Sequence, residues 1–171
     1  MSNLSIREAL EQMKRVFQER PEEARRKAAS ATATLVGGLQ CQITGPTGEK
    51  AQSDVPPALG CGGLGANPGW FLRASLASCT ATAIAMRAAM LGIQLKTLEV
   101  TVESESDHRG FLDMDDSIPA AMLSLHTHVK IGAEGAATVP LRELVEWGER
   151  HSVVGCTIRR PPTLSVDIEI V

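Results

Sequence analysis

The chain has 171 residues, enough for one substantial core, with 43% hydrophobic residues and a net charge of -3. Mild acidity argues against a nucleic-acid surface, and three Phe, two Trp and no Tyr leave little to stack bases on. No signal-peptide-like run opens the sequence and no apolar stretch approaches membrane-spanning length, so a cytoplasmic protein without a membrane partner is expected. In chain order, Ser5-Ile6-Arg7-Glu8 has the spacing of a capping box, and Ile6, Leu10, Met13 and Phe17 recur at helical spacing. An amphipathic helix to about Glu19 follows, and Pro21 can start a second helical piece through Lys27. Residues 1–29 therefore read as a helical extension and 30–171 as the main domain.

Ala31–Val36 and Leu39–Thr44 are β-prone runs around Gly37-Gly38, which suits a hairpin turn. Lys50–Val55 is a third candidate strand. Pro56–Ala66 is glycine-rich, but it lacks the lysine and spacing of a phosphate loop, and no GxGxxG appears. It reads as a flexible connection, and no cofactor is expected.

Asn67–Gly92 is the organising stretch. Asn67 can cap a helix, Pro68 fits its first position, and Gly92 suits the left-handed residue that ends it. Between Ala74 and Gly92, 13 of 19 residues are Ala, Gly, Ser, Thr or Cys, with little charge, so the helix should be buried and closely approached by its neighbours. Cys79 sits in its middle. The other cysteines, Cys41, Cys61 and Cys156, are far away in sequence and form no CxxC pair, which excludes zinc-ribbon spacing. They are either inert thiols or redox thiols. A reactive Cys79 needs help, because it lies about three turns from its helix's N-terminus. Arg73 is some 240° away around the axis, and Arg87 is about 12 Å further along it.

Leu98, Val100 and Val102 alternate with Glu99, Thr101 and Glu103, giving a strand with one wet face. Ser104–Ser117 is acidic and turn-like, and its acids at 113, 115 and 116 lack the EF-hand spacing. Leu123, Leu125, Val129 and Ile131 alternate with Ser124, His126, His128 and Lys130 in another half-buried strand. His126 and His128 share a face, a spacing that could hold a metal, but Lys130 follows on that face and no cysteine or carboxylate adjoins them in sequence. They read as solvent-facing, and no metal site is expected. Thr138 and Pro140 open a helix with Leu141, Leu144, Val145 and Gly148 on its packed side, ending near Arg150. Residues 151–157 read as a connection or short turn. Leu164, Val166, Ile168 and Ile170 alternate with polar residues in a last strand. The tally is α+β, with two antiparallel three-stranded groups around a long buried helix.

Asn67-Pro68, then Leu76-Ala77-Ser78-Cys79-Thr80, then Gly92-Ile93 resemble the central-helix signature of the OsmC/Ohr family (osmotically inducible protein C and organic hydroperoxide resistance protein). Leu98-Glu99-Val100, Arg109-Gly110-Phe111 and the His-x-x-Val-x-x-Thr of 151–157 continue the resemblance, which spans roughly Ala31–Val171. It implies an intertwined homodimer with active sites at its interface. It also implies thiol-dependent reduction of hydroperoxides, with Cys79 as the peroxidatic cysteine and an external thiol or dithiol as reductant. Phe71, Ala83 and Met86 could line a pocket for the organic chain, and core packing explains them equally well.

The chain departs from the pattern at three places. Ser152 stands where the family has its second cysteine, Gly69 stands where the Ohr branch has a Glu, and no Arg occurs between Ala28 and Leu72. Cys156, four residues further on, is taken as the resolving residue, with Cys61 or an outside thiol as the alternatives. Two functions from different classes follow: a cysteine-based hydroperoxide reductase, or a redox-silent dimer that binds an apolar small molecule in its interface cleft.

Overall fold

The computed structural model describes residues 5–134 and 138–171, which group into two compact units, Met1–Ala74 and Ser75–Val171. In the first unit, α1 (Ile6–Glu19) starts as the sequence predicts. The Glu8 N–H donates to Ser5 Oγ at 3.2 Å, and the Ser5 N–H donates to the Glu8 carboxylate at 2.8 Å. The expected second helical piece shrinks to a single 3-10 turn, Pro21–Ala24. So short a segment forms too few hydrogen bonds to offset the cost of nucleation.

Strands β1 (Thr32–Gly37), β2 (Gln40–Thr44) and β3 (Lys50–Ser53) form an antiparallel sheet in that order. The β1–β2 hairpin turns at Gly37-Gly38, where Gly38 takes φ 54°. The loop after β3 is less free than its glycines suggest. Asp54 is buried, and its carboxylate accepts the Val55 N–H at 2.8 Å and the Leu64 N–H at 2.9 Å. These bonds hold the carboxyl below the usual range and pin the loop at both ends.

Helix α2 (Pro68–Leu91) has the predicted ends: the Trp70 N–H donates to Asn67 Oδ1 at 2.8 Å, and Gly92 takes φ 72°. At 24 residues it is long and apolar enough, by length and composition, to cross a membrane, which the sequence reading did not anticipate. Its buried residues form a core stripe: Leu76, Thr80, Ala83, Ile84 and Ala88 recur every three to four residues along it.

In the second unit, β4 (Leu95–Ser106) pairs antiparallel with β5 (Met122–Ala133), Val100 opposite Val129 and Glu103 opposite His126. Leu98, Val100, Val102, Leu125 and Val129 face inward, while Glu99, Glu103, His126, His128 and Lys130 are exposed, as their alternation requires. Between these strands, Asp107 caps the short α3 (His108–Phe111) and pairs with Arg109, which holds its carboxyl at about 2.

Helix α4 (Thr138–His151) packs on α2 by close backbone approach. Gly148 is buried, and a Cβ there would collide with the Ile84 side chain and stand 3.2 Å from the Ile84 nitrogen. Ile84 and Leu144 are almost fully buried.

Two expectations change at the C-terminal end. The expected connection or turn at 151–157 instead leads into a helix, α5 (Val153–Arg159), capped by Ser152. The predicted last strand joins no ladder, so the second sheet has two strands rather than three. Leu164 and Ile170 are 87% and 92% exposed. Its alternation encodes a strand, but among the described residues the segment bonds neither free edge of the β4–β5 ladder.

Candidate active site

The corner between α4 and α5 carries a short segment to the middle of α2. The Ser152 N–H donates to the Gly148 carbonyl at 2.7 Å, which ends α4. The Ser152 side chain then turns back as the α5 cap, accepting the Gly155 N–H at 3.1 Å. Ser152 is 0% exposed. Beside it the Val154 N–H donates to Cys79 Sγ at 3.5 Å, across 75 residues of sequence.

Four effects set the acidity of Cys79. Partial burial pushes the thiol up, while the Ser152 hydroxyl and then the Val154 and Val153 N–H groups stabilise the thiolate and bring it down. The net result lies below the ordinary value of 9.0. None of those three donors carries a full charge. Three side chains around the corner have other partners: His151 Nδ1–H donates to the Trp147 carbonyl at 2.7 Å, Arg87 stacks on the Trp147 ring at 5.2 Å, and Arg159 pairs with Glu149. A thiolate held by neutral donors in a half-buried setting can attack an electrophilic oxygen or sulfur.

Cys156 has a different environment. Its sulfur donates to the Arg150 carbonyl at 3.2 Å and accepts from Arg159 at 3.8 Å. It lies two residues beyond Val154, about 200° around α5. Cys61 belongs to the first unit, where its thiol bonds Asp54. All four cysteines are free.

Of the side chains expected to line a pocket, Ala83 is buried in the α2 core, Met86 is 36% exposed, and Phe71 packs edge-to-face on Trp70. The second unit has a cleft of about 490 Å³ elsewhere, lined by Leu76, Leu125, Val129, Val145 and Ile158 together with Glu149 and Arg159. Leu76 is one turn before Cys79, and Gly155, also in the lining, follows Val154. His126 and His128 stay on the exposed face of β5, and no three potential metal ligands converge among the described residues. Sequence reasoning missed Ser152 and the two valine amides as functional groups. The available signal was a cap residue, Ser152, seven residues before an Arg-Arg-Pro-Pro stop.

A family model described as OsmC-like protein matches residues 61–167. Among solved structures, the chain is similar to an OsmC-like protein from Mycoplasma pneumoniae (14% identity, 80% of this chain and 91% of that one, TM-score 0.67). It is also similar to an organic hydroperoxide resistance protein OsmC from Legionella pneumophila (21%, 80% and 92%, TM-score 0.59). A third is the organic hydroperoxide resistance protein OhrB of Bacillus subtilis (20%, 79% and 93%, TM-score 0.52). No curated protein matches the chain in sequence.

Proposed function

This chain belongs to the OsmC-like family, and from that premise we propose that it reduces organic hydroperoxides with Cys79 as nucleophile. The observation that carries the proposal is the Val154 N–H donated to the Cys79 sulfur, which favours the thiolate the reaction needs. The thiolate attacks the outer peroxide oxygen, the O–O bond breaks, and the alkoxide leaves and takes up a proton as the alcohol. Cys79 is then a sulfenic acid. An external thiol condenses with it, releasing water and leaving a mixed disulfide, and a second thiol restores the cysteine.

The orientation of Cys156 towards the Arg150 carbonyl favours this one-cysteine cycle over resolution within the chain. The cleft beside Leu76 suits the organic part of the peroxide. A second copy of the chain is part of the proposal, since the exposed apolar side chains of α2 (Met86, Leu91) and of the unpaired C-terminal segment need cover. The decisive experiment measures turnover of cumene hydroperoxide with dithiothreitol, wild type beside Cys79→Ser. Equal, negligible turnover by both defeats the enzyme reading and leaves the family's scaffold as a binder of apolar molecules.

A further inference from the structure

Helix α1 is capped at its start and buries nothing. Its capping box is complete and the Arg20 N–H donates to the Val16 carbonyl at 2.8 Å at its end, yet none of its residues is buried. Ile6, Leu10, Met13 and Phe17 recur at i, i+4, i+7 and i+11 and make one apolar stripe, with Ile6 and Met13 exposed. Within the chain α1 packs on the 3-10 turn Pro21–Ala24, and the Arg26 guanidinium lies over the Phe17 ring at 6.0 Å. Lys14 and Arg7, the latter also holding Glu11 at 2.9 Å, border the stripe about 80–100° from Ile6 around the axis. Glu8, Glu11 and Glu19 lie about 140–160° from it.

The second unit exposes a surface of opposite charge. In the loop between β4 and β5, Phe111, Leu112 and Met114 are all exposed, the last at 67%, and Asp113, Asp115 and Asp116 are interleaved with them. Arg109 is already paired with Asp107, and Asp113 and Asp116 form no ion pair among the described residues. The loop holds its own shape. The Met114 N–H donates to the Arg109 carbonyl at 3.0 Å, and the Ser117 N–H donates to the Asp115 carboxylate at 2.9 Å. A surface fixed in advance loses little entropy when it is covered.

We propose that α1 of one copy docks its apolar stripe on the 111–116 loop of a second copy, with Arg7 and Lys14 against the three aspartates. In a two-fold pair the contact occurs twice, so it closes the assembly. Charge selects this occupant. Residues 1–29 carry seven Lys and Arg against five acids, and the rest of the chain carries ten against fifteen, so extension and body attract. Two α1 stripes packed antiparallel would set Arg7 and Lys14 against their own copies, and two heptads are too short for a coiled coil. The docking does not depend on whether Cys79 reacts with peroxide.

The test joins lysines to carboxylates with a zero-length carbodiimide in a mixture of unlabelled and isotopically heavy protein, unfolded together in urea and refolded. Peptide mass spectrometry should find Lys14 linked to residue 113, 115 or 116 with one side light and the other heavy. Met13→Glu and Phe111→Ser, both at exposed positions, should each lower that yield about tenfold or more, while Arg15→Gln, on the opposite face of α1, leaves it unchanged. Links found only within light or only within heavy chains overturn the proposal, as does a yield that Met13→Glu leaves intact or that Arg15→Gln lowers equally. If either apolar variant fails to fold by circular dichroism, the mixed-mass link in the wild type decides. Pelleting with phosphatidylglycerol vesicles that Met13→Glu abolishes, without any mixed-mass link, would overturn it in favour of a lipid surface.

Discussion

Cys79 and Cys156 are both half-buried helical cysteines with different surroundings. Cys79 accepts the Val154 N–H from another helix, whereas Cys156 donates into the Arg150 carbonyl and accepts from Arg159 at 3.8 Å, within its own corner. Helix position does not separate them in the expected way. Cys79 lies well inside a 24-residue helix, out of reach of its own N-terminal dipole, yet the amides of a different, seven-residue helix supply the donors. Chain topology, rather than local sequence, decides which of the two sulfurs is prepared for chemistry.

The sharpest test of that difference is Cys79→Ser, which should lower peroxide turnover by at least about 10³-fold, because a hydroxyl at that place has no comparable nucleophilicity. The same pair of proteins reports on acidity through folding. A thiol whose folded acidity constant lies below the ordinary 9.0 contributes its full stability above pH 9, and loses it as the pH falls through the folded value. Urea midpoints of wild type relative to Cys79→Ser should therefore rise as the pH climbs towards 9. A flat difference would mean that the donors do not favour the thiolate.

Next in size is Gly148→Ala. The new methyl has no room against Ile84, so α4 must shift, at a cost of about 2 kcal/mol and a thermal midpoint lower by roughly 4–8 °C. Because the Ser152 N–H is tied to the Gly148 carbonyl, the shift should also raise the pH midpoint of Cys79 alkylation by iodoacetamide. Loss of stability with an unmoved midpoint would show that the corner keeps its place independently of α4.

Much of this arrangement was readable from residues. Asn67, Pro68 and Gly92 fix the ends of α2 through local geometry, and alternation finds most of β5 and the middle of β4, whose last residues, through Ser106, were read as turn. Helix α5 was not readable, because two adjacent valines and a glycine in seven residues give weak helical preference. Its cap and the burial of Gly155 make the helix, and burial is a property of the fold. The C-terminal alternation led to a strand that the structure does not form, because a pattern names a face and not a partner. The Val154 N–H meets a sulfur 75 positions earlier, a contact that could not be read from spacing.

A smaller effect is expected at Thr80, the residue beside the nucleophile. Its hydroxyl is fully buried and finds no hydrogen-bond partner among the described residues. Thr80→Val keeps the shape and removes the unpaired group, so it should stabilise the protein by about 1 kcal/mol and raise the thermal midpoint by roughly 2–4 °C. If the variant is instead destabilised, the hydroxyl has a partner in the assembled protein, and the α2 core is not complete in one chain.

The smallest effect belongs to Cys156→Ser, and its smallness is the point. Serine can still donate to the Arg150 carbonyl, so the α4–α5 corner keeps its bond, and turnover with dithiothreitol should stay within about twofold of wild type, the spread of a ~0.5 kcal/mol substitution. Trapping with dimedone after one equivalent of cumene hydroperoxide should label Cys79 equally in both proteins, because neither resolves its sulfenic acid internally. A wild type that escapes the label and yields a 79–156 disulfide, beside a variant that is labelled, would reverse the assignment. The sulfur of Cys156 would then have to leave the Arg150 carbonyl and swing round α5, bringing its Cα within about 7 Å of that of Cys79, and the contrast between the two thiols would describe only the resting state.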